Sequence, residues 1–164
     1  MIKRRQRVLV WVISTIALCL IATTVIAQES PNSNPSQPTP TQVRRVRIDD
    51  AWQKVYEQVP DLPRENQYVN RETGKVDPNN TLVSRFIRYH YYTKGRPVNY
   101  RLDWKFTLAD YLGLNEPIEA TSYPGASNLR QNPFERDQAI IQKLNRKQRD
   151  ALVQALVNVF TSQQ

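Results

Sequence analysis

Cysteine, histidine and glycine are scarce in this chain of 164 residues, and each shortage excludes a kind of site. The one cysteine, Cys19, lies inside an apolar run, so the rest of the chain has no disulfide framework and no thiolate site for zinc. The one histidine, His90, cannot form a histidine-rich metal site by itself. The four glycines stand alone, which excludes a glycine-rich phosphate loop. We therefore expect no metal and no cofactor.

Positive charge is in excess, but half of the excess precedes the apolar run. The formal net charge is +8, and four of the positive charges belong to Lys3, Arg4, Arg5 and Arg7. From Gln28 onward, 19 basic and 15 acidic residues leave a net charge of about +4. A pI near 9.8 would by itself favour nucleic-acid binding. Because half of the excess belongs to a membrane signal, we expect no nucleic-acid partner.

The first 27 residues predict a membrane anchor or an export signal. Residues 1–7 are basic, and residues 8–27 contain no charged side chain. A helix of about 20 residues spans about 30 Å, the thickness of the hydrocarbon core of a bilayer, so an uncleaved single-span anchor is favoured. Cleavage after Ala27 is the alternative, since Val25-Ile26-Ala27 suits a signal peptidase. Either way the basic flank stays in the cytoplasm and the rest of the chain is exported.

Residues 28–47 predict a disordered, proline-rich tether. Four prolines stand among Ser, Thr, Asn and Gln, and there is almost no apolar surface to bury. Proline lacks an amide donor, so no packed structure is expected here. The basic cluster of Arg44, Arg45 and Arg47 either meets anionic lipid headgroups or forms a solvated boundary before the first helix.

In residues 48–160 the apolar residues recur at helical spacing. This pattern predicts a small all-α domain with four amphipathic helices around one core. The pattern begins after Asp49 and Asp50, whose side chains suit an N-cap. It recurs over residues 81–91, 103–112, 134–144 and 145–160. Asn80 or Thr81, Asp103 and Asn145 are the expected caps of these later helices.

Two segments leave alternatives open. Residues 62–80 are rich in turn-forming residues and indicate an ordered connection, with a possible short hairpin around Gly74. Residues 84–92 are rich in strand formers, so a strand competes there with a helix. We prefer a helix through Tyr91, with Leu82, Phe86 and Ile87 on its buried side. Arg85, Arg88, Tyr89 and Tyr92 are then expected on the opposite side.

The stretch from Thr81 to Gly113 is the predicted centre of both the core and the binding surface. It holds eight of the 15 aromatic residues and six basic side chains against two acids. Large rings bury much area, and arginine beside tyrosine or tryptophan is typical of protein interfaces. The residues predicted to bind a partner are Arg85, Arg88, Tyr89, Tyr92, Arg96, Tyr100 and Arg101.

Three short sequence segments of this stretch resemble those of short membrane-anchored proteins of unknown function from cyanobacteria. The segments are Thr81–His90, Lys94–Pro97 and Tyr100–Gly113. The resemblance covers roughly residues 48–160. It implies that the domain lies in the periplasm or the thylakoid lumen. The segments have no established catalytic role, so the resemblance implies no catalytic residue.

Together these patterns predict a non-enzymatic accessory protein that is exported, tethered to a membrane and docked on an envelope or photosynthetic-membrane protein. An alternative is a small exported hydrolase or ligand-binding domain that uses His90 with Asp103 or Asp110. A third hypothesis is electrostatic binding to anionic lipid. No residue is assigned a catalytic role.

Overall fold

The computed structural model describes residues 46–162, and this part of the chain has an all-α fold. Its helices are α1 (Ala51–Gln58), α2 (Leu82–Arg88), α3 (Arg101–Tyr111), α4 (Phe134–Lys143) and α5 (Arg146–Thr161). Between residues 46 and 162, extended pairing is limited to two isolated β-bridges. The predicted all-α class is confirmed for these residues. All five segments with helical spacing of apolar residues form helices within residues 46–162, so the predicted number of four helices was one too low.

The anchor predicted over residues 1–27, cleavage after Ala27 and nearly all of the predicted tether lie outside the described residues. Within residues 46–162, no helix combines the length and the apolar character that a membrane crossing requires. Anchor, cleavage and tether remain predictions.

Side-chain caps set the start of two helices, while two predicted aspartate caps are wrong. Thr81 begins α2 with a reciprocal capping box: its Oγ1 accepts from the Ser84 amide at 3.1 Å, and Ser84 Oγ accepts from the Thr81 amide at 2.8 Å. Asn145 begins α5 in the same way. Asp50 precedes α1 without a side-chain cap, because its backbone already continues a helical turn from residue 47. Asp103 lies inside the first turn of α3.

A π-helical turn continues α2 and decides which of its last side chains are buried. The turn spans Tyr89–Thr93, so the helix predicted through Tyr91 is present but widened, and the strand alternative is wrong. Tyr89 and His90 point into the core, whereas Tyr91 and Tyr92 are exposed. Such wide turns are rare and often occur at functional sites.

The core is centred on aromatic rings from α2, α3 and α5. Trp104 of α3 is fully buried. Its ring stacks on the His90 ring at a centroid distance of 3.6 Å and on the Phe160 ring at a centroid distance of 5.7 Å. Its indole N–H donates to the Val98 carbonyl at 2.8 Å. Helix α5 packs against both α1 and α3, while α4 packs against α3. The amphipathic spacing therefore buries one shared core, as expected.

The connection between α1 and α2 forms the short hairpin expected around Gly74. Val69 bridges Val76, and the Asn70 amide donates to the Lys75 carbonyl at 2.9 Å. The hairpin also pairs with the segment before α4, where the Arg130 amide donates to the Val69 carbonyl at 2.9 Å. Two loops distant in sequence are thus held together by backbone hydrogen bonds.

Replacing Gly125 with alanine should destabilise the fold by about 2–4 kcal/mol, as measured by urea unfolding of the full chain. Gly125 has φ 103°, and a Cβ atom there would lie 2.8 Å from Leu129 Cδ1. Gly113→Ala is the matched control, because Gly113 also has positive φ, at 72°, but a Cβ atom added there would meet no atom within 4 Å. That control should lose only about 1 kcal/mol. Equal losses would contradict the packing argument.

Candidate functional site

A buried ion pair connects α2 to α4. The Arg85 guanidinium donates to both Asp137 oxygens, at 2.6 Å from Nε and 2.7 Å from Nη2, and both side chains are fully buried. Its other contacts are with the Asn80 carbonyl and side-chain oxygens and with the Glu65 carbonyl at 2.9 Å. Burial disfavours the charged guanidinium, but the Asp137 hydrogen bonds and charge outweigh it and raise the pKa of Arg85. Burial also raises the pKa of Asp137, against the hydrogen bonds and charge of Arg85. The two short parallel hydrogen bonds are the geometry of an ionised guanidinium–carboxylate pair.

Two tyrosines extend this ion pair. The Tyr123 hydroxyl donates to Asp137 Oδ2 at 2.7 Å and lies 2.8 Å from the Tyr111 hydroxyl. Burial raises the pKa of both phenols well above their usual value, so both remain protonated donors at neutral pH. The buried carboxylate thus accepts three hydrogen bonds, two from Arg85 and one from Tyr123.

A second ion pair closes the loop after α3. Arg96 Nη1 donates to Asp110 Oδ2 at 2.6 Å, while Asp110 Oδ1 accepts from Asn115 Nδ2 at 2.7 Å. Burial by itself would raise the pKa of Asp110, but the hydrogen bonds from Arg96, Asn115 and the Glu116 amide outweigh it and lower that pKa. Asp110 therefore remains a carboxylate that anchors residues 113–116.

His90 has an internal structural role. Its Nε2 donates to the Pro97 carbonyl at 3.0 Å, which makes Nδ1 the acceptor of the Thr107 hydroxyl at 2.8 Å. Arg96 in turn donates to that hydroxyl at 2.8 Å. Burial, and then the positive charge of Arg96, lower the pKa of His90 from 6.5 to about 4, against the opposing influence of the Pro97 carbonyl and Asp110. Both ring nitrogens of the neutral imidazole are used within the fold.

The full chain should lose stability as the pH falls from about 6.5 to about 4, because the unfolded chain binds a proton on His90 that the folded chain excludes. The loss attributable to His90 is about 3 kcal/mol and is absent above pH 6.5. Urea unfolding of wild type and His90→Gln at intervals across this range measures it. The free-energy difference between the two proteins should change with pH, and parallel curves would contradict the assignment.

Exposed apolar side chains concentrate in one stretch of the described chain. Of the seven large apolar residues exposed between residues 46 and 162, six lie between the π-helical turn and the loop after α3. They are Tyr91, Tyr92, Tyr100, Leu102, Phe106 and Leu114, which we name the exposed apolar set. Leu102 and Phe106, four residues apart, share one side of α3, where Arg101 and Lys105 are also exposed. The surface of α3 thus exposes both apolar side chains and positively charged side chains to solvent.

The structure divides the seven residues predicted to bind a partner. Tyr92, Tyr100 and Arg101 are exposed. Arg88 is partly buried and its Nε lies 3.1 Å from Asp49 Oδ1. Arg96 is held by Asp110, and its side chain is 12% exposed. Three of the seven are thus exposed to a partner, and the Arg88 side chain, which is 37% exposed, is partly accessible.

Arg85 and Tyr89 were wrongly expected on a solvent-facing side. Arg85 is fully buried, and Tyr89 is 1% exposed with its hydroxyl donating to Asp110 at 3.3 Å. The reason is that residues 82–87 of α2 are all buried, so this helix has no polar face over its first six residues. Their roles are internal.

Four members of the exposed apolar set were not among the predicted binding residues: Tyr91, Leu102, Phe106 and Leu114. Leu102 and Phe106 each lie two residues before the buried Trp104 and Leu108 and so face another side of α3. Their spacing of four was available in the sequence. Within residues 46–162, no group of three or more His, Cys, Asp or Glu side chains is arranged to hold a metal ion.

Searches of known protein families, characterised proteins and solved structures gave no significant match to this chain. Any proposal for its function accordingly depends on the sequence and the geometry of this chain.

Proposed function

We propose that this chain is an exported, membrane-tethered accessory protein that docks on an envelope or photosynthetic-membrane protein. The observation that supports it most is the concentration of the exposed apolar set on and around α3. Exposed apolar side chains that recur within one segment favour a binding surface, whereas isolated exposed apolar residues are ordinary. The proposed location is the periplasm or the thylakoid lumen.

The charge around the exposed apolar set indicates the chemistry of the partner. Arg101 and Lys105 are exposed on α3, and Asp103 between them is only half-buried. Lys94 is engaged by Glu116 at 2.5 Å, so the charges free to meet a partner are mainly those of α3. Rings and cations together suit an acidic protein surface with apolar patches, because complementary charge speeds association and the rings hold the complex.

His90 does not support the alternative of a hydrolase or ligand-binding domain. A general base needs a nitrogen within reach of a substrate, and both ring nitrogens of His90 are occupied internally. Its lowered pKa also follows from burial in the core. Binding to anionic lipid remains the rival that a crosslinking experiment must distinguish.

Photo-crosslinking in native membranes tests the docking proposal. A benzoylphenylalanine at Phe106 should crosslink to one acidic integral membrane protein. The same probe at Val76, which is 49% exposed and lies outside the exposed apolar set, should give little product. Charge reversal of Arg101 and Lys105 should lower the yield at position 106 by roughly tenfold, since like charges across an interface are unfavourable.

A matched charge reversal provides the control. Arg146 and Lys147 are exposed cations in the first turn of α5, and reversing both should leave the yield at position 106 within about twofold. Products that contain only lipid would favour the anionic-lipid hypothesis. Equal yields at positions 106 and 76 would overturn the proposal.

A further inference from the structure

A polar pocket of about 430 Å³ lies beside the core ion pair. Its lining residues are Glu65, Gln67, Tyr68, Val69, Arg130, Gln131 and Arg136. The walls come from the two loops that pair through Val69 and Arg130, and from the first turn of α4. Backbone hydrogen bonds and a helix hold the backbone of these walls, while the side chains of Gln67, Arg130, Gln131 and Arg136 are exposed.

The pocket contains a buried carboxylate oxygen without a hydrogen bond. The Glu65 side chain is 10% exposed, and its Oε2 is buried. No group within residues 46–162 donates a hydrogen bond to this oxygen. Arg136 Nε lies 3.5 Å away, close enough for attraction between the charges. A buried acceptor left in this state is unfavourable unless a water or ligand donor completes it.

The backbone of Glu65 is strained, and the core ion pair holds it in that state. Glu65 has φ 45°, the one positive φ of a non-glycine residue between residues 46 and 162. Its carbonyl accepts from Arg85 Nη2 at 2.9 Å, so the same guanidinium that pairs with Asp137 also fixes this residue. Backbone strain held by surrounding structure clusters at ligand-binding sites.

Two arginines complete the charge pattern of the pocket. The Arg136 side chain is 66% exposed at the pocket, and Arg130 has no ion pair or side-chain hydrogen bond to another described residue. Guanidinium groups bind carboxylates with two parallel hydrogen bonds. The pocket therefore contains one carboxylate and two guanidinium groups, and of these Glu65 and Arg136 already face each other at 3.5 Å.

We propose that this pocket binds a small amphoteric anion, in particular a dicarboxylic amino acid. The ammonium group of such a ligand donates to Glu65, and its carboxylates pair with Arg130 and Arg136. One cation and two anions on the ligand then match one anion and two cations on the protein. This site is separate from the exposed apolar set, and neither proposal depends on the other.

Titration calorimetry with two matched probes tests this site on the full chain in lipid nanodiscs. L-Glutamate carries the ammonium group, and glutarate is the same skeleton without it. The wild type should bind glutamate at least roughly tenfold more tightly than glutarate, because the ammonium adds a charged donor for the Glu65 carboxylate. No glutamate binding at about 10 mM, or equal affinity for both probes, would overturn the proposal.

Two variants assign the roles of the charges. Glu65→Gln should remove the preference for glutamate, while glutarate should bind at least as tightly as to the wild type, because a like charge has left the pocket and Arg136 is released. Retained glutarate binding also shows that the pocket is still folded. Arg130→Gln should weaken both probes by roughly tenfold or more. Arg146→Gln, at a side chain 95% exposed on α5 and away from the pocket, should change neither. A preference for glutamate that persists in Glu65→Gln would contradict the assignment.

Discussion

The pairing of Arg85 with Asp137 is the constraint on which the rest of this fold depends. Removing two charges from water costs several kcal/mol for each ion, and only good geometry with additional hydrogen bonds offsets that cost. Here the carboxylate is bound by Arg85 twice and by Tyr123 once. The guanidinium is bound by Asn80 and Glu65 as well. Five places in the chain must therefore assemble together for either charge to be tolerated.

Charge has two separate uses in this chain. Arg85 and Arg96 tie the fold together from inside, through Asp137 and Asp110. Arg101, by contrast, is exposed beside the apolar set on α3. The small net charge of residues 28–164 is thus a poor guide to the surface, because part of the positive charge never meets solvent. The proposed docking surface depends on the few cations that remain outside.

Helix positions were predictable here because their signals are local. Thr81 and Asn145 are capped within three residues, and the buried side of each helix repeats with a period near 3.6. Arg85 was not predictable as a core residue, since its partner Asp137 is 52 residues away and a single arginine in a helix normally faces water. The strain at Glu65 was equally hidden, because a distant guanidinium imposes it. Polar contacts between residues far apart in the chain produce no periodic pattern in the sequence.

A double-mutant cycle at Arg85 and Asp137 tests the central claim most directly. Urea unfolding of the full chain is measured for Arg85→Met, Asp137→Asn and the double variant. Each single change should cost about 3–5 kcal/mol, because it leaves an unpaired buried charge. The double variant should lose at least about 2 kcal/mol less than the sum of the two. Losses that add to within about 0.5 kcal/mol would contradict the claim that this ion pair organises the fold.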